Sequence, residues 1–190
     1  MISKNNLSFS PLDKDNWGDF EQLLGERGGC GGCWCMSWRL SRSEFDCQKG
    51  NGNKEAMKQL VESGEQVGIL TFHDGKPIGW CAVAPREVYV RLNESRVLKP
   101  IDDEPVWSIT CFFVAKEFRR QGLCVAIIEG VIAYYKKHGV KILEAYPIIP
   151  YSDKMPAAFA WVGFLSSFQK ARFVRAKSWS KARPIMRYYL

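Results

Sequence analysis

The stretch Val106 to Val114, dominated by β-branched and aromatic residues, runs within a few residues into Arg119-Arg120-Gln121-Gly122-Leu123-Cys124. Beyond it Val125, Ile128, Ile132 and Tyr135 recur three or four apart, as on one face of a helix. Lys136, Lys137, His138 and Gly139 close that helix with cations that suit its dipole and a terminating glycine. A central strand therefore feeds a short Arg/Gly loop and a helix N-terminus, which aims free N–H groups and a positive dipole end at one point. An anion such as a pyrophosphate fits there: Gly122 lets the backbone approach, small Cys124 keeps the second turn open, and Arg119 and Arg120 add charge-assisted bonds. Taken by itself the loop is equally an ordinary strand-to-helix turn with surface arginines.

The surrounding pattern predicts an α/β domain. Leu7 to Leu12 reads as a first strand. Asp15-Asn16 then offer capping oxygens to a helix carrying Trp17, Phe20, Leu23 and Leu24, which stops at Gly28-Gly29. A loop rich in Gly, Cys and Trp extends to Cys47, and Asn53 is placed to cap a second helix with Ala56, Met57, Leu60 and Val61 on one face. Val67 to His73 and Lys76 to Val83 flank Asp74-Gly75, a dipeptide suited to a tight hairpin turn. Further on, Ile142 to Ile148 reads as a strand, Ala157 to Lys170 as a helix, and Phe173 to Ser180 with Pro184 to Leu190 as a closing pair of strands.

The length of 190 residues suits one domain, 1–190, with a full core. Neither a secretory leader nor a run of about 20 apolar residues is present, so the expected setting is the cytoplasm, away from membranes. Seven cysteines, an odd number, argue against a secreted disulfide framework. The net charge of +7 comes largely from the last stretch, where Lys and Arg alternate with apolar residues. Solvated strand edges explain that pattern as well as nucleic acid does, and no nucleic-acid module is recognisable.

The loop resembles the Gln/Arg-x-x-Gly-x-Gly/Ala signature of the GCN5-related N-acetyltransferase (GNAT) superfamily, with Arg119 first, Gly122 fourth and Cys124, in place of Gly or Ala, last. The order of elements is similar as well. Gly31-Gly32-Cys33-Trp34-Cys35-Met36, Pro85-Arg86-Glu87, Arg96-Val97-Leu98-Lys99-Pro100 and Arg183-Pro184-Ile185-Met186-Arg187 look like a bacterial subgroup of it. The resemblance implies a mixed, mostly antiparallel central sheet flanked by about four helices, with strands four and five splayed apart. It also implies acetyl-CoA as co-substrate, its pyrophosphate on Arg119, Arg120, Gln121, Gly122, Leu123, Cys124 and Val125, and its pantetheine arm beside main-chain groups of Phe112, Phe113 and Val114. An amine of a small molecule or peptide would attack the thioester directly in a ternary complex. A non-catalytic acyl-CoA binding or sensor module is the alternative, and monomer and homodimer both stay open.

Two departures bear on catalysis. Where many relatives carry a tyrosine that protonates the leaving thiolate, this chain has Phe168. Where histone-acetylating relatives carry a glutamate base it has Ser108, with Thr110 on the same strand face. Ser108 could at best relay a proton through water. Glu144, the only carboxylate in its strand, is the more chemical candidate for a base, set against a Glu that simply pairs with a nearby Lys or Arg; Tyr146, on the same face, is a candidate proton donor. In the cysteine loop, Cys30, Cys33 and Cys35 crowd together while Cys47 stands alone, which fits zinc poorly, and Gly31-Gly32 fits a redox pair poorly. Cys33, Trp34 and Trp38, with Met36, are expected to line the acceptor pocket and to pack the loop on the core. No metal is expected.

Overall fold

A computed structural model describes residues 6–150 and 160–190. Its centre is a seven-stranded sheet built from β1 (Leu7–Pro11), β2 (Gly68–His73), β3 (Lys76–Pro85), β4 (Trp107–Val114), β5 (Ile142–Ala145), β6 (Val174–Lys177) and β7 (Ile185–Tyr189), in the order β1-β2-β3-β4-β5-β7-β6. Every neighbouring pair is antiparallel except β4 and β5. The β2–β3 hairpin turns at Asp74 (φ 49°) and Gly75 (φ 76°), the left-handed pair that a two-residue turn requires.

Adjacent strand residues serve opposite faces, so Ile69 and Cys81 belong to one core layer and Leu70 and Trp80 to the other. Helix α5 (Leu123–Lys137) covers the first layer with Ile127, Ile128, Val131 and Tyr135. The second is covered by α1 (Trp17–Leu24), through Trp17, Phe20, Leu23 and Leu24, and by α3 (Asn51–Glu62), through Met57 and Val61. Each such side chain stabilises the fold by about 1.5–3 kcal/mol on burial. Helix α5 passes so close to β1 that a Cβ on Gly130 would overlap the Phe9 ring. Gly130→Val should therefore destabilise the protein by about 1–3 kcal/mol, despite a gain in helix propensity, measured as a lower urea midpoint.

Several boundaries differ from the sequence expectation for local reasons. Asn16 precedes α1 but does not cap it: its amide donates back to Pro11 O (2.8 Å), and the helix ends at Leu24 rather than at Gly28. Asn53 lies inside α3, fully buried, where its amide donates to Gly32 O (3.0 Å) and pins the cysteine loop. That loop is not irregular throughout. It holds a single 3-10 turn at Met36–Trp38 and α2 (Arg42–Cys47), which opens on a capping box between Ser41 and Glu44. After β3 come a 3-10 turn at Arg86–Val88 and α4 (Val90–Asn93). Strand β5 ends at Ala145, leaving Ile148 in an isolated bridge to Phe164. The helix expected from Ala157 is only α6 (Leu165–Lys170); part of that expectation lies outside the described residues. The six helices of the described residues thus exceed the four expected through short additions on the loops.

Candidate functional site

Strands β4 and β5 pair only from Trp107–Leu143 to Ile109–Ala145, while β4 continues to Val114. Beyond Ile109 the two diverge, and Phe112 N–H donates instead to Trp161 O (2.6 Å) across the opening. Thus one main-chain donor expected to meet a ligand is already used by the chain itself. Val114, two residues on, presents its N–H on the same edge because strand groups alternate. The Phe112 side chain is buried against Phe168 (ring centroids 5.8 Å), and Phe113 and Val114 are half-buried.

After β4, a 3-10 turn at Lys116–Phe118 leads to extended Arg119, left-handed Arg120 (φ 61°) and left-handed Gly122 (φ 77°), which caps α5. The ladder of α5 opens with Val125 N–H donating to Gly122 O (3.0 Å), so the N–H groups of Leu123 and Cys124 precede it and point outward from the helix end. Two left-handed residues so close turn neighbouring amides toward one concave side, an anion-binding geometry. A Cβ at Gly122 would meet nothing within 4 Å, so the space over the helix end is open. Arg119 and Gln121 brace this loop: Arg119 Nε donates to Val114 O (2.8 Å) with its guanidinium 5.7 Å from the Phe113 ring, and Gln121 Nε2 donates to Glu117 O (2.9 Å). Exposed Arg120 is the arginine left to swing toward an anion. Half-buried Cys124 has its thiol pushed up by burial, a packing environment rather than a reactive one.

Ser108, Glu144 and Tyr146 meet. Ser108 Oγ lies 2.8 Å from Tyr146 Oη, and Tyr146 donates to Glu144 Oε1 (2.7 Å). Yet Glu144 is fully buried and both its oxygens are occupied: Oε1 also accepts from Arg86 (3.1 Å) and Oε2 from Arg187 (2.8 Å). Of the two expectations for Glu144, a base or a Glu paired with a nearby cation, the geometry places it in the paired arrangement. Burial drives the Tyr146 hydroxyl well above its ordinary value, helped by the Glu144 charge, and Arg86 also donates to it (2.6 Å). Arg86 further donates to Leu92 O (3.2 Å) and Leu98 O (2.6 Å), and Arg187 grips Asp102 through both terminal nitrogens (2.6 and 2.8 Å). The Arg187 hydrogen bond holds the Asp102 carboxyl below its ordinary 3.8. Its contribution to stability is therefore present above pH 3.8 and lost as pH falls through the lower folded value; Asp102→Asn should flatten that acid limb of a stability–pH profile.

The cysteine loop divides. Trp34 is buried against Trp17 (6.4 Å) and Phe20 (6.1 Å), which makes it core and corrects its assignment to a pocket; Met36 is buried in the same layer. Cys33 is half-buried with its thiol pushed up to about 12 by burial. Trp38 alone of the expected lining reaches the opening, 5.8 Å from Trp161. Among the described residues no three His, Cys, Asp or Glu side chains converge as metal ligands would. Sequence reasoning missed Trp161 and the partners of Glu144. Arg187 in an apolar strand was the available signal, but only the register Glu144–Arg187 joins the two.

The sheet is parted between its fourth and fifth strands with a glycine-capped helix at the mouth, the arrangement that the resemblance in the sequence implies. Residues 35–164 match the model of the Acetyltransferase (GNAT) family, and the chain belongs to that family. Solved structures share the fold. An acetyltransferase of the GNAT family from Streptococcus agalactiae aligns with TM-score 0.58 at 13% identity over 100% of this chain and 99% of its own. The PaiA N-acetyltransferase of Thermoplasma acidophilum, solved in complex with coenzyme A, gives 0.53 at 12% over 97% and 99%. NAA60 of Arabidopsis thaliana, in complex with acetyl-CoA, gives 0.52 at 15% over 97% and 99%. No curated protein sequence matches. Among the described residues no helix is long and apolar enough to cross a membrane.

Proposed function

We propose that the protein is an N-acetyltransferase that takes acetyl-CoA into the β4–β5 opening and passes the acetyl group to an amine of a small molecule or peptide. The observation that carries this reading is the parted strand pair leading to an open, glycine-capped helix end. The N–H groups of Leu123 and Cys124, with Arg120 beside them, suit the pyrophosphate, and the free edge of β4 at Val114 suits the amide-bearing arm. The amine nitrogen attacks the thioester carbonyl, the N–C bond forms as the C–S bond breaks, and the proton the nitrogen sheds passes to the leaving thiolate. Holding both reactants in line removes much of the entropic barrier, and main-chain donors on β4 stabilise the developing oxyanion.

Ser108, Tyr146 and Glu144 act here as positioning residues: they fix the start of the opening, below the point where β4 leaves β5. Trp38 and Trp161 form an aromatic wall that favours an acceptor with an apolar part. A cytoplasmic setting suits seven cysteines that are all free thiols. The test is release of CoA thiol from acetyl-CoA with a panel of small-molecule and peptide amines; acceptor-dependent release is expected. Binding of acetyl-CoA without release by any amine would favour a sensor module instead, a reading that Phe168, which has no proton to donate, supports.

A further inference from the structure

The fold buries three arginines, and two of them are satisfied by carboxylates: Arg86 by Glu144, Arg187 by Glu144 and Asp102. The third, Arg39, is 8% exposed and has no carboxylate partner among the described residues. It follows the 3-10 turn Met36–Trp38, makes one side-chain hydrogen bond, Nη2 to Gln66 O at 3.4 Å, and lies 5.1 Å from the Tyr89 ring centroid. Burying a guanidinium with so few partners is costly, and a charge in that position is compensated when an anion reaches it.

Arg39 lines an open groove of about 590 Å³ between the 3-10 turn, α3 and Val88. Met36, Leu40, Ala56 and Leu60 give it apolar walls; Ala56 and Leu60, four apart, form one stripe of α3. The only acid on its lining, Glu65, is exposed and makes no ion pair with Arg39. No second cation lines the groove, so a single negative charge is matched rather than a phosphate dianion. The volume falls within the roughly 300–1,000 Å³ of small-molecule sites. None of these residues belongs to the β4–β5 opening.

We propose that this groove binds a small amphiphilic carboxylate, its head paired with the Arg39 guanidinium and its apolar body lying along Ala56 and Leu60. The planar fork of Arg39 matches the two carboxylate oxygens, and the apolar walls exclude water from the pair. The site stands apart from acetyl transfer and is tested without it. Calorimetric titration with octanoate, and in parallel with uncharged octanamide, reads the two halves of the proposal. Saturable octanoate binding is expected, with octanamide at least about tenfold weaker. Arg39→Met should abolish the preference for the charged ligand. Ala56→Trp, which fills the groove and leaves Arg39 in place, should abolish binding of both and keeps the test valid if Arg39→Met does not fold. Equal binding of octanoate and octanamide, no saturable octanoate binding by the unaltered protein, or undiminished binding by Ala56→Trp would overturn it.

Discussion

Glu144→Ala should lower the unfolding free energy by about 3–5 kcal/mol. The substitution removes a carboxylate that meets two guanidinium groups, Arg86 at 3.1 Å and Arg187 at 2.8 Å, in a place with no solvent to replace it. Two buried cations would then face each other without their shared counter-charge. The damage would spread, because Arg86 also holds the carbonyls of Leu92 and Leu98 and Arg187 holds Asp102. Glu144 thus ties the segment after β3 to β5 and β7. With domain stabilities of about 5–15 kcal/mol, a loss of that size leaves little margin. The urea midpoint of the variant, compared at equal m-value, is the measurement. Glu144→Gln separates positioning from proton transfer: loss of stability together with loss of turnover fits a positioning residue, whereas unchanged stability with abolished turnover and a flattened pH–rate profile would restore the base.

The second large effect concerns ligand binding. Gly122→Val should weaken acetyl-CoA binding by about tenfold to a hundredfold while costing the unliganded fold about 1–2 kcal/mol. The stability cost arises because Gly122 sits at φ 77°, where a β-branched residue is strained. It stays modest because a Cβ there meets no neighbour within 4 Å. The same open space is what a pyrophosphate needs above the α5 amides, so a side chain is harmless to the core and obstructive to the ligand. Titration calorimetry of the variant against the unaltered protein checks it, and equal affinities would remove the phosphate role of this loop.

Local chemistry explains which features the sequence disclosed. Asp74-Gly75, the strand before Arg119, and the periodic face of α5 declare themselves within a dozen residues, and each stands where expected. Glycine at the mouth of α5 was equally legible, since only its conformation was at stake. The Ser41 to Glu44 capping box was present in the sequence and passed over because the surrounding cysteines drew a loop reading. Trp34 was misplaced because an aromatic residue in a Gly-rich loop looks the same whether it faces a ligand or a core; only its packing on Trp17 and Phe20 decides. Glu144 shows the limit most clearly. Its partners come from residues 86 and 187, and a pairing across β5 and β7 depends on a register that no local pattern states.

Near the end of the described chain Arg172 holds φ 67°, a left-handed conformation that strains a residue with a side chain. Two residues before α6 ends lies Phe168, a core residue against Phe112 and Phe173.

The most direct test of the account is thermal melting of the unaltered protein in rising acetyl-CoA. A ligand that binds only the folded state adds about 2.7 kcal/mol of apparent stability at a hundredfold excess over its Kd. A rise in Tm that grows with the logarithm of acetyl-CoA concentration, and is smaller at each concentration in Gly122→Val, is the predicted result; no rise at millimolar acetyl-CoA would contradict the assignment of the β4–β5 opening as a cofactor site.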